Sequence, residues 1–132
     1  MVTLTSEIKE SLAATKLAFF ATSANDRTPN VVPIGAFRVL DDATLLISDQ
    51  FFTKTLRNLQ ENPKAALSWW GEKGGFQIKG TVTIHTEGGI WQQDVAWMKE
   101  LRPTLKPKGA VVLKITDVYA VVPGTEPGKK IL

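Results

Sequence analysis

The chain has 132 residues, 43% hydrophobic and 22% charged, with a net charge of +3 and a pI near 9.3. That is one domain, residues 1–132, with one hydrophobic core. No apolar run approaches the ~18 residues of a membrane span, the lack of cysteine excludes disulfides, thiolate metal sites and a cysteine nucleophile, and the mild basic bias decides nothing between an anionic small molecule and nucleic acid.

The opening MVTLTSEIKE holds an acid and no signal-peptide pattern, so the expected location is cytoplasmic. Residues 4–15 predict a short helix with Leu4, Ile8 and Leu12 on one face and Thr5 or Ser6 as cap. LAFFATS (17–23) reads as a strand and ANDRTP as a turn. NVVPIGAFRVL (30–40) reads as one long strand. Pro33 cannot donate to a ladder and Gly35 weakens one, so a bulge or open edge is expected near its middle. After DDAT comes strand 44–49, then a helix at 53–62 and strand 64–70. GEKGG reads as a hairpin loop. Residues 76–85 alternate, with Phe76, Ile78, Val82 and Ile84 on one face. IWQQDVAWMKEL (90–101) suits an amphipathic helix. Asp94 falls inside its apolar arc and needs a partner or a water-facing gap. The last strand covers 110–122.

Six strands and three short helices follow, mostly antiparallel, and short strands avoid exposed edges best by closing into a barrel. Adjacent Trp69 and Trp70 must point to opposite faces, one into the barrel. His85 sits among polar strand positions and reads as a surface or interface residue. No His/Asp/Glu cluster has metal-ligand spacing, so no metal is expected.

The segment SDQFFTKTLRNLQENP (48–63) poses a question. Phe52, Leu56 and Leu59 share a helix face, and Asn62-Pro63 closes the helix. Yet Lys54 and Arg57 crowd its first turns, where the helix dipole favours an acid. An anion bound there would account for Lys54, with Thr53, Thr55 and Ser48 adding hydroxyls, the inventory for a phosphate monoester. The plainer alternative is that Thr53 caps the helix and the cations are solvated.

TKTLRNLQENPKAAL resembles the signature of the FMN-binding split-barrel family related to pyridoxamine phosphate oxidases, through Thr53-Lys54, Asn58-Leu59, Asn62-Pro63 and Ala65-Ala66-Leu67. FFATSANDRTPNVVPIGAF resembles the first hairpin of that family, through Ala21-Thr22, Pro29 and Val32-Pro33-Ile34. The resemblance covers about residues 5–122. It implies a mainly β, six-stranded antiparallel Greek-key split barrel with short flanking helices, forming a homodimer with FMN in each of two interfacial clefts. By position, Lys54 and Thr55 hold the phosphate, Val31, Val32, Pro33 and Ile34 run beside the isoalloxazine ring, and Ile47, Ser48, Asp49 and Gln50 line the opposite side. A second-subunit contribution is sought in RPTLKPKG. Pyridoxamine phosphate oxidases proper carry a C-terminal Arg- and His-bearing segment that PGTEPGKKIL does not match. The resemblance therefore points to short FMN-binding oxidoreductases acting on a small-molecule substrate, or with a nicotinamide or protein electron donor. Deazaflavin and haem also occur on this barrel, and a flavin electron carrier without turnover is a further alternative. The rival of another class is a small β-barrel binding single-stranded nucleic acid, suggested by the pI and the tryptophan pair. The spread of the cations along the chain speaks against it.

Overall fold

The computed structural model describes residues 2–124 and 126–132. Among them run α1 (Ser6–Ala13), β1 (Ala18–Ser23), β2 (Pro29–Ile34), β3 (Phe37–Asp41), β4 (Thr44–Asp49), α2 (Lys54–Glu61), β5 (Lys64–Gly71), β6 (Gly74–His85), α3 (Gly88–Leu101) and β7 (Gly109–Ala120). The strands form one sheet in the order β2-β1-β5-β6-β7-β4-β3, with every pair antiparallel.

The described residues thus form seven strands where six were expected. The segment 30–40 is two strands, and Gly35 and Ala36 divide them. Pro33 lacks a donor and Gly35 lacks a side chain to hold a ladder, so the chain leaves β1 at Ile34 and resumes pairing with β4 at Phe37. The expected weak point became a complete break. Conversely, β5 and β6 extend through the expected loop 71–75, and only Glu72 and Lys73 turn the hairpin.

Core side chains come from strands far apart in the sheet: Phe20 of β1, Ile47 of β4, Leu67 of β5, Ile78 of β6 and Leu113 of β7 join one buried cluster. A flat sheet would keep such residues apart, so the sheet wraps around its core. Its two edge strands, β2 and β3, are left unpaired with each other beside the Gly35 break. Each of these fully buried side chains contributes roughly 1.5–3 kcal/mol.

The helices close the remaining gaps. Thr5 caps α1 by accepting from the Ile8 N–H at 3.3 Å, and α1 sends Ile8 and Leu12 into the core. Its Ser11 accepts the Trp69 indole N–H at 2.9 Å, so Trp69 is the inward member of its pair, and Trp70 is exposed. α3 covers the outer face of β4 and β7. There Trp91 and Trp97 pack on Leu46, Ala110 and Val112, and the Arg38 guanidinium lies over Trp97 at 4.7 Å. The buried centre of α3 is Asp94 and Met98, whereas Leu101 is exposed. No described helix is long and apolar enough to cross a membrane.

Candidate functional site

A cavity of about 270 Å³ opens at the break between β2 and β3. One wall is Val32, Pro33, Ile34 and the Gly35-Ala36 connection. The other is Ser48 and Gln50 at the end of β4, the loop 51–53, and the start of α2. Of the residues expected around a ligand, Val32, Pro33, Ile34, Ser48, Gln50, Lys54 and Thr55 line this one cavity. Val31, Ile47 and Asp49 lie outside its lining. Val31 is on the exposed face of β2, Ile47 is in the core, and Asp49 is buried behind the loop.

The start of α2 supplies charge. The first helical bond runs from Arg57 N–H to Thr53 O, so the N–H groups of Lys54, Thr55 and Leu56 have no acceptor within the helix. Thr53 stands at the cap position but its side chain makes no capping bond, and the first turn holds no acid. Capping by the Thr53 hydroxyl, the plainer reading of this sequence, is absent. Lys54 is exposed at the cavity, and among the described residues no carboxylate pairs with it.

Thr55 is buried, and its hydroxyl accepts from Asn30 Nδ2 at 3.0 Å. Asn30 also donates to Thr22 Oγ1 at 3.2 Å, and Asn58 Nδ2 reaches the same oxygen at 3.0 Å. Asn62 Nδ2 donates to Ser23 Oγ at 3.1 Å. The two asparagines of the TKTLRNLQENP stretch are therefore pins that fix α2 on β1. The Asn30–Thr55 bond then ties the helix start to β2.

The loop after β4 is clamped from behind. Asp49 Oδ1 accepts the Phe52 N–H at 2.9 Å and lies 3.8 Å from Lys108 Nζ, which also donates to the Phe52 carbonyl. The Lys108 N–H donates to the Asp49 carbonyl at 2.6 Å. Burial pushes the Asp49 carboxyl above its usual range, against the pull of the Phe52 N–H and Lys108. Phe52 stacks on Phe20, with centroids 5.9 Å apart, and Phe51 stands exposed at the cavity mouth.

Arg102 completes the lining and was not singled out from sequence. It lies in RPTLKPKG, the segment expected to contribute from a second subunit, whereas here Arg102 lines the cavity of its own chain, carried there by the turn after α3. Its guanidinium comes within 2.7 Å of where a Cβ on Gly35 would sit, so Gly35 leaves room for it. Behind Ser48 lies Asp94, fully buried, which accepts the Ser48 hydroxyl at 3.1 Å. The partner demanded by the apolar arc of α3 is thus a cavity residue. His85 is half-buried beside Thr83 and outside the cavity lining.

Next to the cavity, the outer face of β2, β1 and β5 is apolar. Phe19 pairs with Pro33 and Ser68, and Ala21 with Val31 and Ala66. Strand alternation puts Leu17 and Trp70 on the same face, and Leu17, Phe19, Val31 and Trp70 are all exposed. Together they form an exposed apolar patch beside the cavity.

Comparison with known proteins agrees with this architecture. The chain is 42% identical over 134 residues to the uncharacterized protein MJ0282 of Methanocaldococcus jannaschii, covering 99% of this chain and 89% of that one. Among solved structures it is similar to HupZ of Group A Streptococcus (TM-score 0.82, 23% identity, 95% and 99% of the two chains). It is also similar to an FMN-binding protein of Syntrophomonas wolfei (TM-score 0.79, 16% identity, 90% and 86%). A third is HutZ, a haem storage protein of Vibrio cholerae (TM-score 0.68, 18% identity, 89% and 94%). At these identities the structural likeness establishes the fold alone. Residues 4–122 match the pyridoxamine 5'-phosphate oxidase family, and over that span, on this mainly β split-barrel-like fold, the chain belongs to it.

Proposed function

We propose that this chain binds FMN in the cavity between β2 and the start of α2, as a homodimer, and serves as an FMN-dependent oxidoreductase. The observation that carries the reading is the meeting of two unlike surfaces in one cavity. The apolar wall Val32–Ile34 suits a flat ring, and an uncapped, lysine-bearing helix start suits a phosphate. In that role Lys54 and the N–H groups of Lys54 and Thr55 hold the phosphate. Val32, Pro33 and Ile34 pack beside the ring, and Ser48 and Gln50 offer hydrogen bonds to its polar edge. The clamp of Asp49 and Lys108 keeps the loop 51–53 in place. Bound FMN supplies hydride and electron-transfer chemistry that protein side chains lack.

The cavity of one chain, about 270 Å³, falls just below the ~300–1,000 Å³ of ligand sites. The exposed apolar face beside it supports a second copy as the missing wall. A small-molecule substrate, a nicotinamide or a protein donor would meet the flavin at that junction.

The test is an absorbance spectrum of protein purified without added cofactor, with mass spectrometry of the released ligand. A band near ~450 nm and the mass of FMN support the proposal. A deazaflavin mass keeps the site and changes the cofactor, whereas colourless protein that ignores added FMN counts against it. Haem is less favoured, because the one histidine of the chain, His85, is outside the cavity lining. Stopped-flow reduction by NADH or NADPH separates an enzyme from a silent flavin carrier. Single-stranded nucleic acid is disfavoured, since Trp69 is buried and Lys9, Lys108, Lys129 and Lys130 each pair with an acid.

A further inference from the structure

Behind the cavity wall runs a directed chain of hydrogen bonds. Gln50 Nε2 donates to Ser48 Oγ at 3.3 Å, and the Ser48 hydroxyl donates on to Asp94 Oδ2 at 3.1 Å. Gln50 and Ser48 line the cavity; Asp94 does not and has no exposed surface. The other carboxyl oxygen, Oδ1, is buried with no hydrogen-bond partner among the described residues. A carboxyl held only by a cavity hydroxyl and otherwise unsatisfied is an expensive way to fasten a helix, since an asparagine or an apolar residue would do so at lower cost.

We propose that Asp94 is a positioning residue that sets which way the Ser48 hydroxyl points at the cavity wall, so that a ligand edge bearing hydrogen-bond acceptors is taken up together with a proton. The inference rests on the flavin reading for its ligand, the carbonyl-bearing edge of FMN. With the Asp94 carboxyl ionised, the single hydrogen of Ser48 is drawn inward, and the cavity meets a lone pair backed by a negative charge. With the carboxyl protonated, its O–H donates to Ser48 Oγ, and the serine hydrogen is released to donate into the cavity. The charged groups acting on Asp94 are Arg38 of β3, which favours the ionised form, and Asp49 of β4, which opposes it. Burial, reinforced by Asp49, outweighs the Ser48 hydrogen bond and Arg38 and pushes the carboxyl up to about 6, within reach of ordinary conditions.

The test is the dissociation constant of FMN, read by quenching of its fluorescence from pH 5 to pH 8.5. It is measured on wild type, Asp94→Asn, Ser48→Ala and the double variant. Ionisation of the FMN phosphate near pH ~6 acts alike on all four, so the ratios between proteins carry the answer. Wild type and Asp94→Asn are expected to bind alike at pH 5. At pH 8 wild type is expected to bind about fivefold more weakly, the worth of one hydrogen bond. In the Ser48→Ala background that ratio should shrink to near one at every pH. A ratio that does not change with pH, or that survives Ser48→Ala, overturns the proposal. Should no variant bind FMN, the flavin reading fails, and the Asp94–Ser48 coupling is judged on ligand-free wild type by carboxyl ¹³C NMR. An Asp94 signal titrating near 6 and moved by Ser48→Ala supports it, and an ordinary carboxylate titration overturns it.

Discussion

Lys54→Ala is the sharpest single perturbation of the site, because the structure separates Lys54 from its neighbour in kind. Lys54 and Arg57 are both exposed cations one turn apart on α2, but only Lys54 borders the cavity, whereas both border the groove between α2 and the β1–β2 loop. A hydrogen bond to a charged group is worth about 1.5–3 kcal/mol. The exposure of Lys54 puts it at the lower end, about 1.5–2 kcal/mol, because solvent and salt screen the contact. That converts to about a 10–30-fold rise in the FMN dissociation constant. Riboflavin, which has the same ring and no phosphate, should bind wild type and Lys54→Ala equally, and Arg57→Ala should leave FMN affinity within about twofold. Isothermal titration of both ligands against the three proteins reads all of this at once. If Lys54→Ala weakens riboflavin as much as FMN, or if Arg57→Ala costs as much as Lys54→Ala, the phosphate does not sit at the helix start.

Further outcomes concern stability and assembly. Asn58→Ala removes a buried donor to Thr22 and unpins α2, so a loss of about 1–3 kcal/mol is expected, readable in urea unfolding. Retention of full stability would mean that α2 is held by Leu59 and its apolar neighbours alone. Trp69→Phe strands the buried Ser11 hydroxyl and should cost about 1–2 kcal/mol by the same assay, with Trp70→Phe near neutral in the monomer. Phe19→Asp on the apolar outer face should shift the protein to a monomer in size-exclusion chromatography with light scattering, and an unchanged elution mass would remove this face from the dimer. For Asp94, the carboxyl titrates near 3.8 when exposed and about 6 when folded. The folded state therefore holds the proton more tightly, and stability is lost as pH rises through that window, then levels off. Relative to Asp94→Asn, wild type should lose about 2–3 kcal/mol between pH 4 and 7 in urea unfolding, and parallel pH profiles would show an unshifted carboxyl.

Much of this molecule could be read from local chemistry. The break between β2 and β3 follows from Pro33 and Gly35, although a strand with a bulge was expected and two strands are found. That one of Trp69 and Trp70 turns inward follows from strand alternation, although only the structure shows it is Trp69, and the end of α2 follows from Asn62 preceding Pro63, with Asn62 in extended geometry. The need of Asp94 for a partner was visible from helical periodicity. What stayed hidden depends on chain segments returning from far away. Ser48 and Asp94 are 46 residues apart, and only the packing of α3 on β4 brings them together. Asp49 and Phe52 meet Lys108 because β7 begins beside the end of β4. Arg102 reaches Gly35 for a similar reason, and no periodicity within RPTLKPKG could announce it. The signature asparagines were legible as a pattern, but their task of fixing α2 to Thr22 and Ser23 appears only in three dimensions.

The central proposal is that an anionic flavin lies between β2 and the first turn of α2. The most direct measurement of it is a titration of uniformly ¹⁵N-labelled protein with FMN, following backbone amide shifts. The flavin reading predicts saturable changes at one FMN per chain, concentrated at Val32, Ile34–Ala36, Ser48–Gln50 and Thr53–Leu56, with the largest at the Lys54 and Thr55 amides. Saturation with those amides unmoved, and shifts gathered elsewhere in the barrel, would contradict it.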